Sequence, residues 1–231
     1  MREPDASRLL ALWEGAHRAH PAQRALVLLA AALPQASAAE RAALDLGLRD
    51  WHLLRLRADW FGPALPSVAQ CPHCHALLDL DLDAHALLDP PPESCAPVAT
   101  LDDGRRFRLP NGGDLLAIST QANLQRAEEA LLQRCALDAG ECSDADQRRV
   151  DALLSALAAE RGRSLMLTCT ECGADWTVDL DPAAYLWDEI AARAATLLDQ
   201  VHRLALAYGW DEADILALDP LRRAAYLERL H

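Results

Sequence analysis

Four of the seven cysteines fall in two Cys-x-x-Cys pairs, Cys71-Pro-His-Cys74 and Cys169-Thr-Glu-Cys172, and the likeness extends beyond the pairs themselves. Each follows a short extended run, residues 65–70 and 164–168. Each leads into an alternating run that ends Leu80-Asp-Leu-Asp83 in one copy and Val178-Asp-Leu-Asp181 in the other. A tight turn carried by two strands aims both thiolates of such a pair at one ion. Two turns supply four sulfurs, the number a closed tetrahedral structural site takes at about 2.3 Å each. Metal ligation by Cys71, Cys74, Cys169 and Cys172 is therefore the chemistry these residues point to. Zinc is the expected ion, and iron in a rubredoxin-like site suits the same all-thiolate set. The expected role is structural, with no position left for water.

Other uses of these cysteines fit less well. A thioredoxin-like redox pair is one Cys-x-x-Cys opening a helix within a βαβ pattern, whereas here two pairs each lead into a strand. Structural disulfides suit a secreted chain, and the N-terminus does not resemble a signal peptide. Cys95, Cys135 and Cys142 show no pairing and read as ordinary thiols. His73 and His75 flank the first pair, but four sulfurs already fill a tetrahedral shell, so a surface or supporting role is expected for both.

Zinc-ribbon halves usually lie close together, and here about ninety residues separate Cys74 from Cys169. The ribbon is read as split by a large insertion. Loop-closure entropy grows only slowly with loop length, so one ion can hold the halves together and stabilise what lies between them.

The 231 residues, 52% of them apolar, suffice for a sizeable core. The formal charge is −13, and residues 63–181 carry 20 acidic residues against 9 arginines. Such a field repels phosphate backbones and argues against a nucleic-acid partner. The chain has no lysine, which removes Schiff-base, phosphate-loop and kinase-lysine chemistry. The longest apolar run, residues 25–33, is too short to span a bilayer, so a soluble, cytoplasmic protein is expected.

The elements that must position the cysteines are mostly helical. Asp5 can cap a first helix with Leu9, Leu12, Trp13 and Ala16 on one face, and Pro21 suits the first turn of a second. Ser37-Ala-Ala-Glu40 is a capping box for a third helix, interrupted at Gly47. Asp50 then starts a fourth, carrying Leu53, Leu54 and Trp60 and ended by Gly62-Pro63. Beyond the first pair, Pro90 to Pro92 forbid helix. Asp103-Gly104 between 98–101 and 105–109 signals a β-hairpin. Asn111-Gly-Gly113 reads as a turn rather than a phosphate cradle, with Asp114 capping the next helix. Helices over 122–135 and 147–159, the latter capped by Ser143 or Asp144, complete the insertion. The acidic loop between them lacks calcium-loop spacing. From Trp187 through Ile190, Ala194, Leu197, Val201, Leu204 and Tyr208, apolar residues recur at three and four, predicting one long helix closed by Gly209 with its seam in the core. Short helices capped near Asp211 and at Asp219-Pro220 finish the chain.

No His-Glu-x-x-His, Gly-x-Ser-x-Gly, Walker or Rossmann pattern occurs, and no nucleophile stands with a base, so a non-enzymatic protein is expected. Several patches together resemble a known family: Leu46-Gly-Leu-Arg-Asp50 with Leu53-Leu-Arg-Leu-Arg57; Cys71-Pro-His-Cys74; Phe107-Arg-Leu-Pro110 followed by Asp114-Leu115; Arg134-Cys135; Cys169-Thr-Glu-Cys172; Leu186-Trp-Asp-Glu-Ile190; Val201-His-Arg-Leu-Ala205 with Ala207-Tyr-Gly-Trp210; Ile215-Leu-Ala-Leu218; and Arg222-Arg223. In order and spacing, over nearly the whole chain, they are similar to the baseplate hub assembly chaperones of T-even-type phages, found in contractile phage tails and related bacterial contractile injection systems. The resemblance implies a non-enzymatic assembly factor whose partners are hub or spike proteins of the baseplate. A permanent structural baseplate component is the alternative, and a zinc-ribbon nucleic-acid-binding regulator is a third, disfavoured by charge.

The resulting expectation is an α+β protein: an N-terminal helical part (1–62), a split zinc-ribbon sheet (63–181) with a helical and hairpin insertion (84–163), and a C-terminal helical part (182–231), packed as one unit.

Overall fold

The computed structural model describes residues 4–90, 92–93, 96–138, 140, 142–162 and 164–230. The protein is α+β, with long helices and small antiparallel hairpins. Helices α1 (Ala6–Ala16), α2 (Pro21–Ala32), α3 (Ala38–Ala43) and α4 (Leu46–Phe61) open the chain. Asp5 caps α1 through Arg8 N–H, Pro21 begins α2, and Ser37 and Glu40 form the expected capping box on α3. Gly47 does not interrupt α3, and Asp50 does not start a helix. α3 ends at Ala43, and Asp45 caps α4 by accepting from Leu48 N–H, which places Gly47 in the first turn of α4. The glycine there serves packing: a Cβ on it would lie 2.6 Å from the Cβ of Arg161.

Strands β1 (Ala64–Gln70) and β2 (Leu77–Asp83) form one antiparallel hairpin, followed by the short helix α5 (Ala84–Leu88). The insertion holds hairpin β3 (Val98–Thr100) and β4 (Arg106–Arg108), turned at Gly104 with φ +89°, and helices α6 (Gly112–Ile118), α7 (Leu124–Cys135) and α8 (Asp144–Arg161). Asn111, not Asp114, caps α6. Asp114 is the third residue of that helix and returns a carboxylate oxygen to the Asn111 N–H, completing a capping box. Hairpin β5 (Ser164–Thr168) and β6 (Asp175–Asp179) then leads into α9 (Pro182–Tyr208), α10 (Glu212–Ala217) and α11 (Pro220–Leu227).

α9 lies against α1, α2 and α4, and together they bury Leu28, Leu29, Leu53, Leu56, Leu186 and Ile190. Of the predicted seam, Ile190, Ala194, Leu197 and Leu204 are buried, whereas Tyr208 at the end of the helix is exposed. Gly209 closes α9 in the left-handed region, φ +67°, and Trp210 stacks on Tyr208 with ring centroids 4.7 Å apart. The insertion has a core of its own, in which Phe107, Leu109, Val150 and Cys135 meet. It docks on the N-terminal helices through the residues that lead into α6: Leu46 N–H donates to the Pro110 carbonyl, and Asp45 forms a β-bridge with Asn111.

Candidate metal centre

The two Cys-x-x-Cys turns join strands of separate hairpins. Among the described residues β1 pairs only with β2, and β5 only with β6, so no sheet hydrogen bonds link the two halves. Their proximity comes from the helices behind them. β1 leaves α4 directly, β6 runs directly into α9, and α4 packs on α9. Arg57 near the end of α4 reinforces this junction. Its Nε and Nη2 donate to the two oxygens of Glu189 on α9, at 2.8 and 2.7 Å, while Nη1 donates to the carbonyls of Gly62 and Ala64 where β1 begins. Tyr185 of α9 adds an O–H bond to the Pro66 carbonyl of β1.

The turns themselves repeat atom for atom. In the first, His75 N–H donates to the Cys71 carbonyl at 3.0 Å and Cys71 N–H to the Ala76 carbonyl at 2.9 Å. In the second, Gly173 N–H donates to the Cys169 carbonyl and Cys169 N–H to the Ala174 carbonyl, both at 2.9 Å. His75 and Gly173 both take positive φ, +62° and +74°, the conformation the turn requires.

Four sulfurs result, all within 4.8 Å of one another. Cys71 Sγ lies 3.7 Å from Cys172 Sγ, and Cys74 Sγ 3.5 Å from Cys169 Sγ. These separations are far beyond a disulfide bond of about 2.05 Å. They match the edge of a regular tetrahedron whose centre is about 2.3 Å from each corner, roughly 3.8 Å. Cys71 and Cys169 are buried, Cys74 and Cys172 exposed, so the cluster sits at a surface with half its shell inside.

Backbone N–H groups already point at the sulfurs. Burial opposes ionisation of Cys71, but donation from Cys74 and His73 N–H and from the Cys169 and Cys74 thiols holds its pKa down to about 6. Ala76 N–H favours the Cys74 thiolate and Ala174 N–H the Cys172 thiolate. Burial and crowding by neighbouring sulfurs nevertheless push Cys74 up to about 12 and raise Cys172. The donor set and spacing thus fit a soft or borderline tetrahedral ion.

Each residue expected in the site is in the cluster. His73 and His75 are exposed beside it. Cys135 is buried in the insertion core, where burial raises its thiol to about 11, and Cys142 lies 3.3 Å from Arg105 Nη1. Cys95 lies outside the described residues. Sequence reasoning missed the charge pairs that brace the frame, each with at least one buried partner: Arg57 with Glu189, Arg161 with Asp45 through two bonds of 2.9 Å, and Arg108 and Arg134 both with Asp114. The one available signal was an arginine within an apolar helical stripe, Leu53-Leu-Arg-Leu-Arg57, since a buried arginine requires a partner.

No helix among the described residues is long and apolar enough to cross a membrane. Comparison of the chain with known protein families, with curated proteins and with solved structures gives no match.

Proposed function

We propose that the protein is a non-enzymatic assembly factor for the baseplate hub of a contractile phage tail or contractile injection system, with one structural zinc ion on Cys71, Cys74, Cys169 and Cys172. In this reading the two hairpins are halves of a split zinc ribbon, joined through the ion rather than through sheet hydrogen bonds. The ion supplies the crosslink that the separate hairpins lack. Residues on α4, β1 and α9 hold the halves in position for it.

The observation that carries the functional reading is the fate of the patches that resemble the hub-chaperone family. Residues from separate patches meet in pairs: Arg57 with Glu189, 132 residues apart, and Arg134 with Asp114, 20 residues apart. Those patches therefore act together as the frame of one fold, which supports reading them as a set. The acidic surface favours protein partners over nucleic acid, and the expected partners are hub or spike proteins met in the cytoplasm. A chaperone's contacts are transient, whereas a structural subunit stays in the particle at a symmetry-matched stoichiometry. Deletion of the gene in a host whose contractile particles can be purified is expected to stop functional particles forming. Mass spectrometry of wild-type particles is expected not to detect the protein. Stoichiometric presence there would replace the assembly factor with a permanent baseplate component.

A further inference from the structure

Between the start of α1, the middle of α9 and the α10–α11 segment lies a cavity of about 630 Å³, within the size range of small-ligand sites. Leu9, Leu197, Leu216 and Pro220 form apolar walls, and two arginines, Arg193 and Arg223, reach it. Arg193 stacks its guanidinium on Phe61, 4.0 Å from the ring centroid. Arg223 is only 6% exposed. Its Nε donates to Gln200 Oε1 at 2.8 Å, but Nη1 is buried and has no hydrogen-bond partner, and no carboxylate among the described residues forms an ion pair with it. Asp5, which lines the same cavity, and Asp219, whose charge acts on Arg223, each commit one carboxylate oxygen to a helix cap. Asp5 accepts from Arg8 N–H to cap α1, and Asp219 accepts from Leu221 N–H to cap α11. Burial lowers the pKa of Arg223, opposed by the charge of Asp219.

A buried guanidinium without a counter-charge is costly, and the other buried arginines here are fully engaged: Arg57 by Glu189, Arg161 by Asp45 and Arg49 by Asp50. Arg223 differs from them in bordering a cavity, and what it lacks is an anion. A planar fork of N–H donors matches a carboxylate, and the apolar walls match an aliphatic body attached to it. We propose that this cavity binds a carboxylate carried on an apolar chain, with Arg223 taking the charge, Gln200 orienting the guanidinium, and Leu9, Leu197 and Leu216 receiving the aliphatic part. The carboxylate has two sources of the same chemistry, a free aliphatic acid or the C-terminal end of an apolar polypeptide segment. The site is independent of the metal cluster and of the assembly reading.

The test titrates the full-length, metal-replete protein with hexanoate, with methyl hexanoate, and with a pentapeptide ending in Leu-Leu as free acid and as amide. Calorimetry and side-chain nitrogen NMR of Arg223 provide the readouts. A free acid is expected to bind about tenfold or more tightly than its neutral counterpart and to shift the Arg223 resonances, because a charge-assisted hydrogen bond in a buried site is worth that factor. Tighter binding of the peptide acid assigns the source to a polypeptide end, and tighter binding of hexanoate to a free acid. Arg223→Gln is expected to abolish the preference for acid over ester while leaving the four-cysteine cluster loaded. Equal binding of acid and neutral forms to the wild-type protein, or no binding of any acid, overturns the proposal, and this comparison holds even if the variant fails to fold.

Discussion

His75 and Gly173 occupy equivalent places in the two cysteine turns, each one residue past the second cysteine, each left-handed, and each donating its N–H to the carbonyl of the first cysteine. One turn thus meets the steric requirement with glycine and the other with a histidine held in a conformation that costs an L-residue about 1–2 kcal/mol.

The two positions should respond differently to substitution. Gly173→Val is expected to cost about 1–2 kcal/mol or more, since a β-branched side chain is forced to positive φ. His75→Gly should stay within about 0.5 kcal/mol, relief of strain being offset by the greater freedom of glycine in the unfolded chain. Chemical denaturation of both variants under metal-replete conditions checks the asymmetry. Equal losses at the two sites would contradict it.

Asp114 is buried, which alone would raise its pKa. Arg108, the Asn111 N–H and Arg134 nevertheless hold it below the ordinary carboxylate range. Because the folded value lies below the unfolded one, the stabilisation is complete above the unfolded pKa, about 4, and is lost as pH falls through the depressed folded value. The insertion should therefore loosen below about pH 4, seen as faster amide exchange in β3, β4 and α6. Asp114→Asn should show that loosening already at neutral pH. Unchanged exchange in the variant at pH 7 would mean that the carboxylate does not hold this joint.

Leu197 packs in the helical core between α9 and its neighbours. Leu197→Ala is expected to destabilise the protein by about 2–5 kcal/mol without altering its oligomeric state. A variant of unchanged stability that shifts in sedimentation velocity would make this face an interface instead.

The four-cysteine cluster was legible because the signal for each half is local: a two-residue spacing, a turn, a strand on each side. The hairpin at Gly104 and the cap at Gly209 were legible for the same reason. Errors arose where two local solutions compete. The fourth helix is capped by Asp45 where Asp50 was expected, and the Asp45 carboxylate is also held by Arg161, 116 residues away. Asn111 and Asp114 likewise compete, and reciprocal bonding gives the cap to Asn111. That the two hairpins stay separate could not be read from strand patterns, since each satisfies its own ladder and only α4 and α9 decide where it stands. The cavity at Arg223 left no trace in the sequence, because an unpaired buried arginine looks like any other until its neighbours are in place.

The central claim is that four cysteines from two distant hairpins hold one ion. Native mass spectrometry of protein purified without chelator or oxidant, paired with elemental analysis, measures this directly. One zinc or one iron per chain is expected in the wild type and none in Cys169→Ser, which should also lose stability in both hairpins because metal binding is coupled to folding. A wild-type chain that carries no ion while all four thiols remain free and reactive would contradict the account.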